Sequence, residues 1–265
     1  LIGASSGVVF NNALTLRNGG TMTFTIGSGT ILSTGSAAAD ITIGSTGTIL
    51  FTSSGAIGAT GARLLTAVDQ LGASTISGDT FITNDTTIAI TGAFTVGAND
   101  FILEAGSAGN ITQTAALTAA GLKLVTTSSG TVTLNAANTV TTLAAAVSGA
   151  GNAFTFTGEA DGFTVGTVDT IVGIVTAHST ASGTASGGIT LSAAAGSIVI
   201  TNNLTTGTAT VADGGGSDET SVSGNIIVTA ATSITGAGVV TTGAAELSGS
   251  AQRSEEHTSE LQSHL

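Results

Sequence analysis

The sequence predicts an all-β chain that forms a β-solenoid, in which coils of about 20 residues stack their strands on one another. Short runs with apolar residues two apart recur along the chain and end in Gly, Asn, Asp or Ser. Such alternation is typical of strands with one buried face. Three of these runs begin at Ile111, Val132 and Phe154, at nearly equal intervals. Each interval is about 20 residues long, which matches one coil of a solenoid.

The amino-acid composition supports the all-β prediction. The 265 residues include 39 Gly, nine Phe and one Met, but no Pro, Cys, Trp or Tyr. β-Branched residues are abundant and long helix-forming side chains are scarce, which favours strands over helices. Proline is excluded from central strands because it has no N–H to donate, and nearly every strand of a solenoid is central.

Predicted strands extend along the chain with Asn and Gly in the turns between them, because both residues tolerate a left-handed backbone. They are Val8–Phe10, Leu14–Leu16, Thr21–Ile26, Thr30–Leu32, Ile41–Ile43, Thr48–Phe51, Thr80–Thr83, Thr87–Ile90, Phe94–Val96, Phe101–Glu104, Gly109–Thr114, Leu122–Val125, Gly130–Leu134, Ala153–Thr157, Phe163–Val168, Ile189–Ser192, Ile198–Thr201, Thr208–Val211, Ile226–Thr229, Ser233–Thr235 and Val239–Thr242. The stretch from Arg63 to Leu71 has apolar residues at roughly helical spacing and is predicted to be a loop or short helical turn. Residues 177–188 are predicted to be an exposed excursion.

The chain divides into a repeat domain, residues 1–252, and a tail, residues 253–265. Arg253 to His264 resembles the translation of a sequencing-library adapter, so the tail is interpreted as non-native or disordered. Its residues Glu255, Glu256, His257 and His264 are therefore not interpreted as a metal cluster. The absence of a starting Met leads us to expect an interior fragment of a longer protein.

Charge excludes several classes of partner. The formal net charge is −12, from sixteen acidic and four basic residues. Nucleic acids and anionic membrane surfaces are bound through Lys and Arg, so neither is an expected partner. No apolar run is long enough for a membrane span. Without cysteine there is no disulfide and no thiolate metal site.

Several phrases resemble the strand repeats of filamentous-haemagglutinin-type bacterial exoproteins. They are Asn110-Ile-Thr-Gln-Thr, Gly130-Thr-Val-Thr-Leu-Asn, Phe154-Thr-Phe-Thr, Gly162-Phe-Thr-Val-Gly-Thr-Val and Gly224-Asn-Ile-Ile-Val-Thr-Ala. The resemblance implies a single-stranded, right-handed β-helix that is secreted through an outer-membrane pore and held at the cell surface. It also implies adhesion, with a receptor or glycan on a host or neighbouring cell as the partner. We therefore expect a structural stalk with no catalytic or cofactor-binding residues.

Carboxylates suggest two alternative sites. The segment Asp213-Gly-Gly-Gly-Ser-Asp218-Glu219 offers oxygen ligands for Ca²⁺, although a solvated loop is the more favoured explanation and the calcium β-roll repeat is absent. Glu159 and Asp161 have the spacing of a surface turn and could form the carboxylate pair of a carbohydrate-active β-helix. Exposed Trp or Tyr rings, which usually line carbohydrate clefts, are missing from the sequence.

Gly3-Ala4-Ser5-Ser6-Gly7 matches the Gly-x-Ser-x-Gly pattern of a nucleophile elbow, which needs a strand before it and a helix after it. Here a predicted strand follows, so the match is attributed to the abundance of Gly and Ser. Apart from the two histidines of the tail, only His178 could complete a triad, and it is predicted to be solvated in a Ser/Thr-rich segment.

Thr-x-Thr runs suggest a further alternative, an ice-binding β-solenoid. They occur at Thr21/Thr23/Thr25, Thr131/Thr133, Thr155/Thr157 and Thr208/Thr210. Threonines stacked evenly on one flat face could order water. Their spacing in the sequence is irregular, however, and Thr is a common outward residue of strands.

Overall fold

Strands dominate the computed structural model, which describes residues 2–34, 38–159, 161–179, 184–212 and 221–248 and has no helix among them. The first fifteen are β1 (Ile2–Ala4), β2 (Val8–Phe10), β3 (Leu14–Leu16), β4 (Thr21–Ile26), β5 (Ile31–Ser33), β6 (Ile41–Ile43), β7 (Thr48–Ser53), β8 (Leu64–Ala67), β9 (Gln70–Leu71), β10 (Ser74–Ile76), β11 (Thr80–Asn84), β12 (Ile88–Ile90), β13 (Phe94–Thr95), β14 (Asp100–Ala105) and β15 (Ile111–Gln113). The others are β16 (Leu117–Thr126), β17 (Val132–Val147), β18 (Phe154–Gly158), β19 (Gly162–Val165), β20 (Thr167–Val168), β21 (Ile171–Val172), β22 (Ile174–Thr176), β23 (Ile189–Ala193), β24 (Ser197–Ile200), β25 (Leu204–Thr205), β26 (Ala209–Ala212), β27 (Ile226–Ala230), β28 (Ile234–Thr235), β29 (Val240–Thr241) and β30 (Ala245–Ser248). The all-β prediction is confirmed.

Parallel pairing connects the strands. Twenty-four of them belong to one hydrogen-bonded set, and most pair on both sides with strands that lie one winding earlier and one winding later. For example, β7 lies between β4 and β10 in parallel register, and β14 lies between β11 and β16. The exception is β20–β21, an antiparallel hairpin. This pattern is consistent with a β-solenoid, where each coil rests on the previous one.

Winding length is not uniform. Asp79 and Asp100, which bond across adjacent windings, are separated in sequence by 21 positions, close to the predicted coil length. The corresponding separation is 36 positions between Ser197 and Ser233. The winding between β18 and β23 is also long, because it includes the β20–β21 hairpin and residues 177–188. The chain therefore has no single coil length.

The core is a column of inward-facing side chains from successive windings. Strand alternation produces it: in β4, Met22, Phe24 and Ile26 are buried, while the threonines between them face outward. Phe24 stacks on its register partner Phe51 with ring centroids 5.6 Å apart. Stacking of like residues allows each winding to bury its apolar side chains against two neighbours, at about 25 cal/mol per Å² of apolar area.

The prediction of a loop or short helical turn at Arg63–Leu71 was wrong, because this stretch forms strands β8 and β9. Leu64, Val68 and Leu71 are all fully buried, and their near-helical spacing results from two strands separated by a bend. At the bend, the buried side chain of Asn84 accepts a hydrogen bond from the backbone N of Val68 and donates one to its carbonyl oxygen. The amide thereby satisfies backbone groups that a helix would have paired internally.

The described part of residues 177–188 is less exposed than predicted. Ser179 and Ser186 are both buried. The backbone N of Ser179 donates a hydrogen bond to the carbonyl oxygen of Thr208, and the hydroxyl of Ser186 accepts one from the backbone N of Gly224. These bonds connect the segment to the following winding, so its described ends belong to the stack.

Candidate functional site

The predicted calcium candidates and the predicted tail both lie outside the described residues. The calcium candidates Asp213, Asp218 and Glu219 belong to residues 213–220, and the tail with Glu255, Glu256, His257 and His264 belongs to residues 249–265. Across the described ranges, no group of three or more His, Cys, Asp or Glu side chains is placed to hold a metal ion. The same ranges contain no helix with the length and apolarity needed to cross a membrane.

The surroundings of the Gly3–Gly7 segment differ from those of a nucleophile elbow. Strand β1 includes Gly3, and Gly7 is followed by strand β2 rather than by a helix. His178 is exposed, as predicted. The elbow match therefore lacks the strand–turn–helix context that gives the motif its chemistry.

Glu159 and Asp161 lie at the rim of a groove of about 290 Å³ on the outside of the windings. Both residues are exposed, and they belong to the short connection between β18 and β19. The hydroxyl of Thr139 donates a hydrogen bond of 2.8 Å to Oε2 of Glu159. The groove is lined by Asn138, Thr139, Val140, Thr141, Glu159, Asp161, Gly162, Phe163, Thr164, Ser197 and Val199.

The groove is a hydrogen-bonding surface without an exposed aromatic platform. Its aromatic residue, Phe163, is buried and packs edge-to-face on Phe156 with ring centroids 5.0 Å apart. Hydroxyl groups from Thr139, Thr164 and Ser197 line the groove next to the carboxylates. Such a set can contact polar ligands, and both carboxylates are open to solvent.

A charged cluster that the sequence analysis missed lies on the outer face of β14 and β16. The side chain of Lys123 is buried at 2% exposure, and its Nζ donates 2.8 Å to Oδ2 of Asp169 and 2.9 Å to Oγ1 of Thr170. Glu104 lies 3.7 Å from the same Nζ and also contacts the guanidinium of Arg63. Two cations and two carboxylates thus neutralise one another in a shielded position.

The β20–β21 hairpin shields this cluster. Its turn residues are Asp169 and Thr170, and Asp169 has φ +50°, as two-residue hairpins require. Val168 is buried beside Gly121, where an added β-carbon would lie 3.0 Å from Cγ1 of Val168. The hydrogen bond from Lys123 lowers the pKa of Asp169. Lys123 and Asp169 are 46 positions apart in the sequence, and only the fold brings them together.

The pKa of a nearby carboxylate is shifted in the opposite direction. Partial burial, and then the charge of Asp79, raise the pKa of Asp100 above the usual value for Asp. The backbone N of Asp100 donates a 2.9 Å hydrogen bond to Oδ1 of Asp79, which keeps the two side chains close. Acids that are distant in the sequence are therefore neighbours across two windings.

Threonines form a second feature of the outer surface, the threonine ladder. It consists of one outward-facing threonine from each of six successive windings, and each is the register partner of the next: Thr25, Thr52, Thr75, Thr95, Thr118 and Thr139. A shorter column runs through Thr112, Thr133, Thr155 and Thr190. The spacing looked irregular in the sequence because windings differ in length, whereas the fold places the residues in line.

The predicted Thr-x-Thr runs contribute unequally to these columns. Thr25 belongs to the threonine ladder, and Thr133 and Thr155 belong to the shorter column. The hydroxyl of Thr131 lies 3.2 Å from Oδ1 of Asn110 and serves a turn instead. Thr208 and Thr210 lie beyond the last members of both columns. The arrangement across windings, rather than along a strand, is thus what aligns hydroxyl groups.

No protein-family model, no curated protein and no solved structure matches this chain significantly.

Proposed function

We propose that the chain is a segment of a right-handed β-helical stalk in a secreted bacterial surface protein of the filamentous-haemagglutinin type, and that it acts without catalysis. The observation that carries this proposal is the continuous parallel pairing that links strands from β1 to β29. The right hand is proposed because crossovers between parallel strands are right-handed in nearly all known cases.

Stacked windings are suited to holding other regions at a distance. Each backbone ladder bond runs between windings, so a load along the axis is shared by many hydrogen bonds and by the continuous core. The six windings of the threonine ladder, at ~4.8 Å each, alone span on the order of 25 Å. The length of such a rod increases with each added repeat, while its cross-section stays similar.

The surface chemistry fits secretion and display. The absence of cysteine means that export does not depend on oxidative folding, and the net charge of −12 over the full chain favours solubility. In the proposed protein, an outer-membrane pore would release the chain, which would fold outside the cell. A receptor or glycan on a host or neighbouring cell would then be bound by the protein that the stalk supports.

Labelling of intact cells tests the proposal. Antibodies raised against residues 1–252 should label unpermeabilised cells that carry the gene, and protease added outside should remove the signal. A cytoplasmic control protein should stay unlabelled in the same sample. Signal that appears only after permeabilisation would overturn the surface location and the stalk role together.

A carbohydrate-active β-helix is the alternative from another functional class. It is favoured by the groove beside Glu159 and Asp161, and opposed by the exposure of both carboxylates and the missing aromatic platform. The alternative predicts polysaccharide cleavage that Glu159→Gln or Asp161→Asn abolishes. Asp85→Asn, a change of an exposed carboxylate on another winding, is the matched control.

A further inference from the structure

We propose that the threonine ladder is an ice-binding face, on which aligned hydroxyl groups hold water molecules in a lattice-like order. The inference goes beyond the proposed stalk, because a stalk needs no particular outer surface. It rests on three features of the ladder: the regular spacing of its threonines, the small neutral residues beside them, and hydroxyl groups without protein partners.

The spacing is regular because β-sheet geometry determines it. Neighbouring parallel strands lie ~4.8 Å apart, so register partners such as Thr52 and Thr75 are separated by this distance. Along β4, Thr21, Thr23 and Thr25 all face outward, with about 6.6 Å between alternate residues. The first winding of the ladder therefore carries a row of three outward-facing threonines. Threonine is stiff about χ1, so each hydroxyl and methyl group loses little freedom when water becomes ordered on it.

Small neutral side chains flank the last four positions of the threonine ladder. Two residues before Thr75, Thr95, Thr118 and Thr139 comes an exposed alanine in every case: Ala73, Ala93, Ala116 and Ala137. Backbone hydrogen bonds from Ser74 to Ala93 and from Phe94 to Ala116 keep these alanines in line. Beside Thr52 the corresponding residue is Leu50, and beside Thr25 it is Thr23, so no charged side chain belongs to this flanking column. A planar solid can therefore approach the hydroxyl groups together along the alanine stretch, from Thr75 to Thr139.

The ladder hydroxyls are free to bind water. Across the described residues, the side chains of Thr25, Thr52, Thr75, Thr95 and Thr118 make no hydrogen bond to the protein, whereas many other threonines bond to backbone or side-chain partners. The ladder ends at Thr139, whose hydroxyl is occupied by Glu159 on the following winding.

Other ligands fit this face less well. A crystalline polysaccharide would need aromatic rings on which sugars stack, and the largest aromatic side chains of the ladder strands, such as Phe24, Phe51 and Phe94, are buried. An ionic ligand would need opposite charge, which the six ladder positions lack. A neutral lattice of hydrogen-bond donors and acceptors remains, and ice is such a lattice.

Ice-recrystallisation inhibition by the purified full chain tests the inference. Thr75→Tyr places a bulky ring in the middle of the ladder. Thr15→Tyr is the matched control, because Thr15 is an exposed, outward-facing residue of β3 outside both threonine columns. Circular dichroism and thermal melting establish that both variants keep the wild-type fold. Binding to suspended chitin and cellulose particles is measured in parallel.

We expect the wild-type chain and Thr15→Tyr to inhibit recrystallisation and to shape ice crystals, and Thr75→Tyr to lose both effects. Absence of inhibition by the wild-type chain overturns the inference, and so does equal inhibition by the two folded variants. Ladder-dependent binding to chitin or cellulose without any effect on ice would identify the ladder as a polysaccharide-binding face and would also overturn it. None of these outcomes affects the stalk, which cell-surface labelling tests separately.

Discussion

Replacement of Asn138 by Ala is expected to weaken three consecutive windings at once. Asn138 is 1% exposed, and its Oδ1 accepts hydrogen bonds from Nε2 of Gln113 at 2.9 Å and from the backbone N of Leu117 at 3.0 Å. Its Nδ2 donates to the carbonyl oxygens of Ala136 at 2.8 Å and Thr157 at 2.9 Å. The partners belong to the winding before, its own winding and the winding after. The side-chain amide of Asn138 therefore connects three windings by hydrogen bonds.

The magnitude follows from the groups that lose their partner. In the alanine variant the buried N–H of Leu117 and the partly buried carbonyl oxygens of Ala136 and Thr157 lose Asn138 as their partner. Each buried unsatisfied group costs about 1–3 kcal/mol, and water entering the space left by the amide recovers part of this. We expect a loss of about 3–5 kcal/mol in the free energy of unfolding.

Urea denaturation of the purified chain measures the total effect, and hydrogen exchange of the Leu117 amide measures the local one. The matched control is Asn99→Ala, because Asn99 makes one side-chain bond, of 2.8 Å, to Val96 within its own turn. The control should cost less than about 1 kcal/mol. Equal destabilisation by the two variants, with unchanged protection of Leu117, would refute the proposed bridging of windings.

Two further changes test the packing of the windings and the charged cluster. Gly162 and Gly61 both have positive φ, but an alanine β-carbon at Gly162 would overlap the carbonyl oxygen of Ser197 on the next winding, whereas at Gly61 it meets nothing. Gly61→Ala should cost about 1–2 kcal/mol in thermal or urea unfolding, and Gly162→Ala several kcal/mol more. Similar losses for both would contradict close stacking there. Because the bond from Lys123 lowers the pKa of Asp169, the stabilisation from this pair should be complete above the usual Asp pKa of about 3.9 and disappear as the pH falls through the folded-state pKa of Asp169. Asp169→Asn should remove that acid-dependent part of the unfolding curve, and a wild-type pH dependence in the variant would contradict the assignment.

Local alternation was sufficient to predict most of the strands. Thr21–Ile26 and Ile41–Ile43 appear with the predicted bounds, because each alternates threonine with apolar residues. At Arg63–Leu71 the same reasoning failed, since Asn84, which lies well beyond Val68 in the sequence, supplies the hydrogen bonds of the bend. Sequence periodicity contains no information about such a partner.

The candidate sites were less predictable than the strands, because they depend on which residues share a winding position. Glu159 and Asp161 are neighbours in the sequence and could be identified at once. Strand register aligns Thr52 with Thr75 and Thr75 with Thr95. The first of these windings is longer than the second, so no constant spacing in the sequence reveals the alignment. Lys123 meets Asp169 through a hairpin that interrupts the repeat. Unequal windings therefore conceal columns that equal windings would have revealed.

Disulfide formation between engineered cysteines tests the parallel register most directly, since the natural chain has no cysteine. Thr52 and Thr75 are register partners on adjacent windings, at ~4.8 Å, within the Cα separation that a disulfide spans. Thr52 and Thr95 are two windings apart, at roughly 9.6 Å, which is too far. The double variant Thr52→Cys/Thr75→Cys should oxidise to an intramolecular disulfide, and Thr52→Cys/Thr95→Cys should remain reduced under the same conditions. Oxidation of the second variant but not of the first would show that these segments do not stack in the order described.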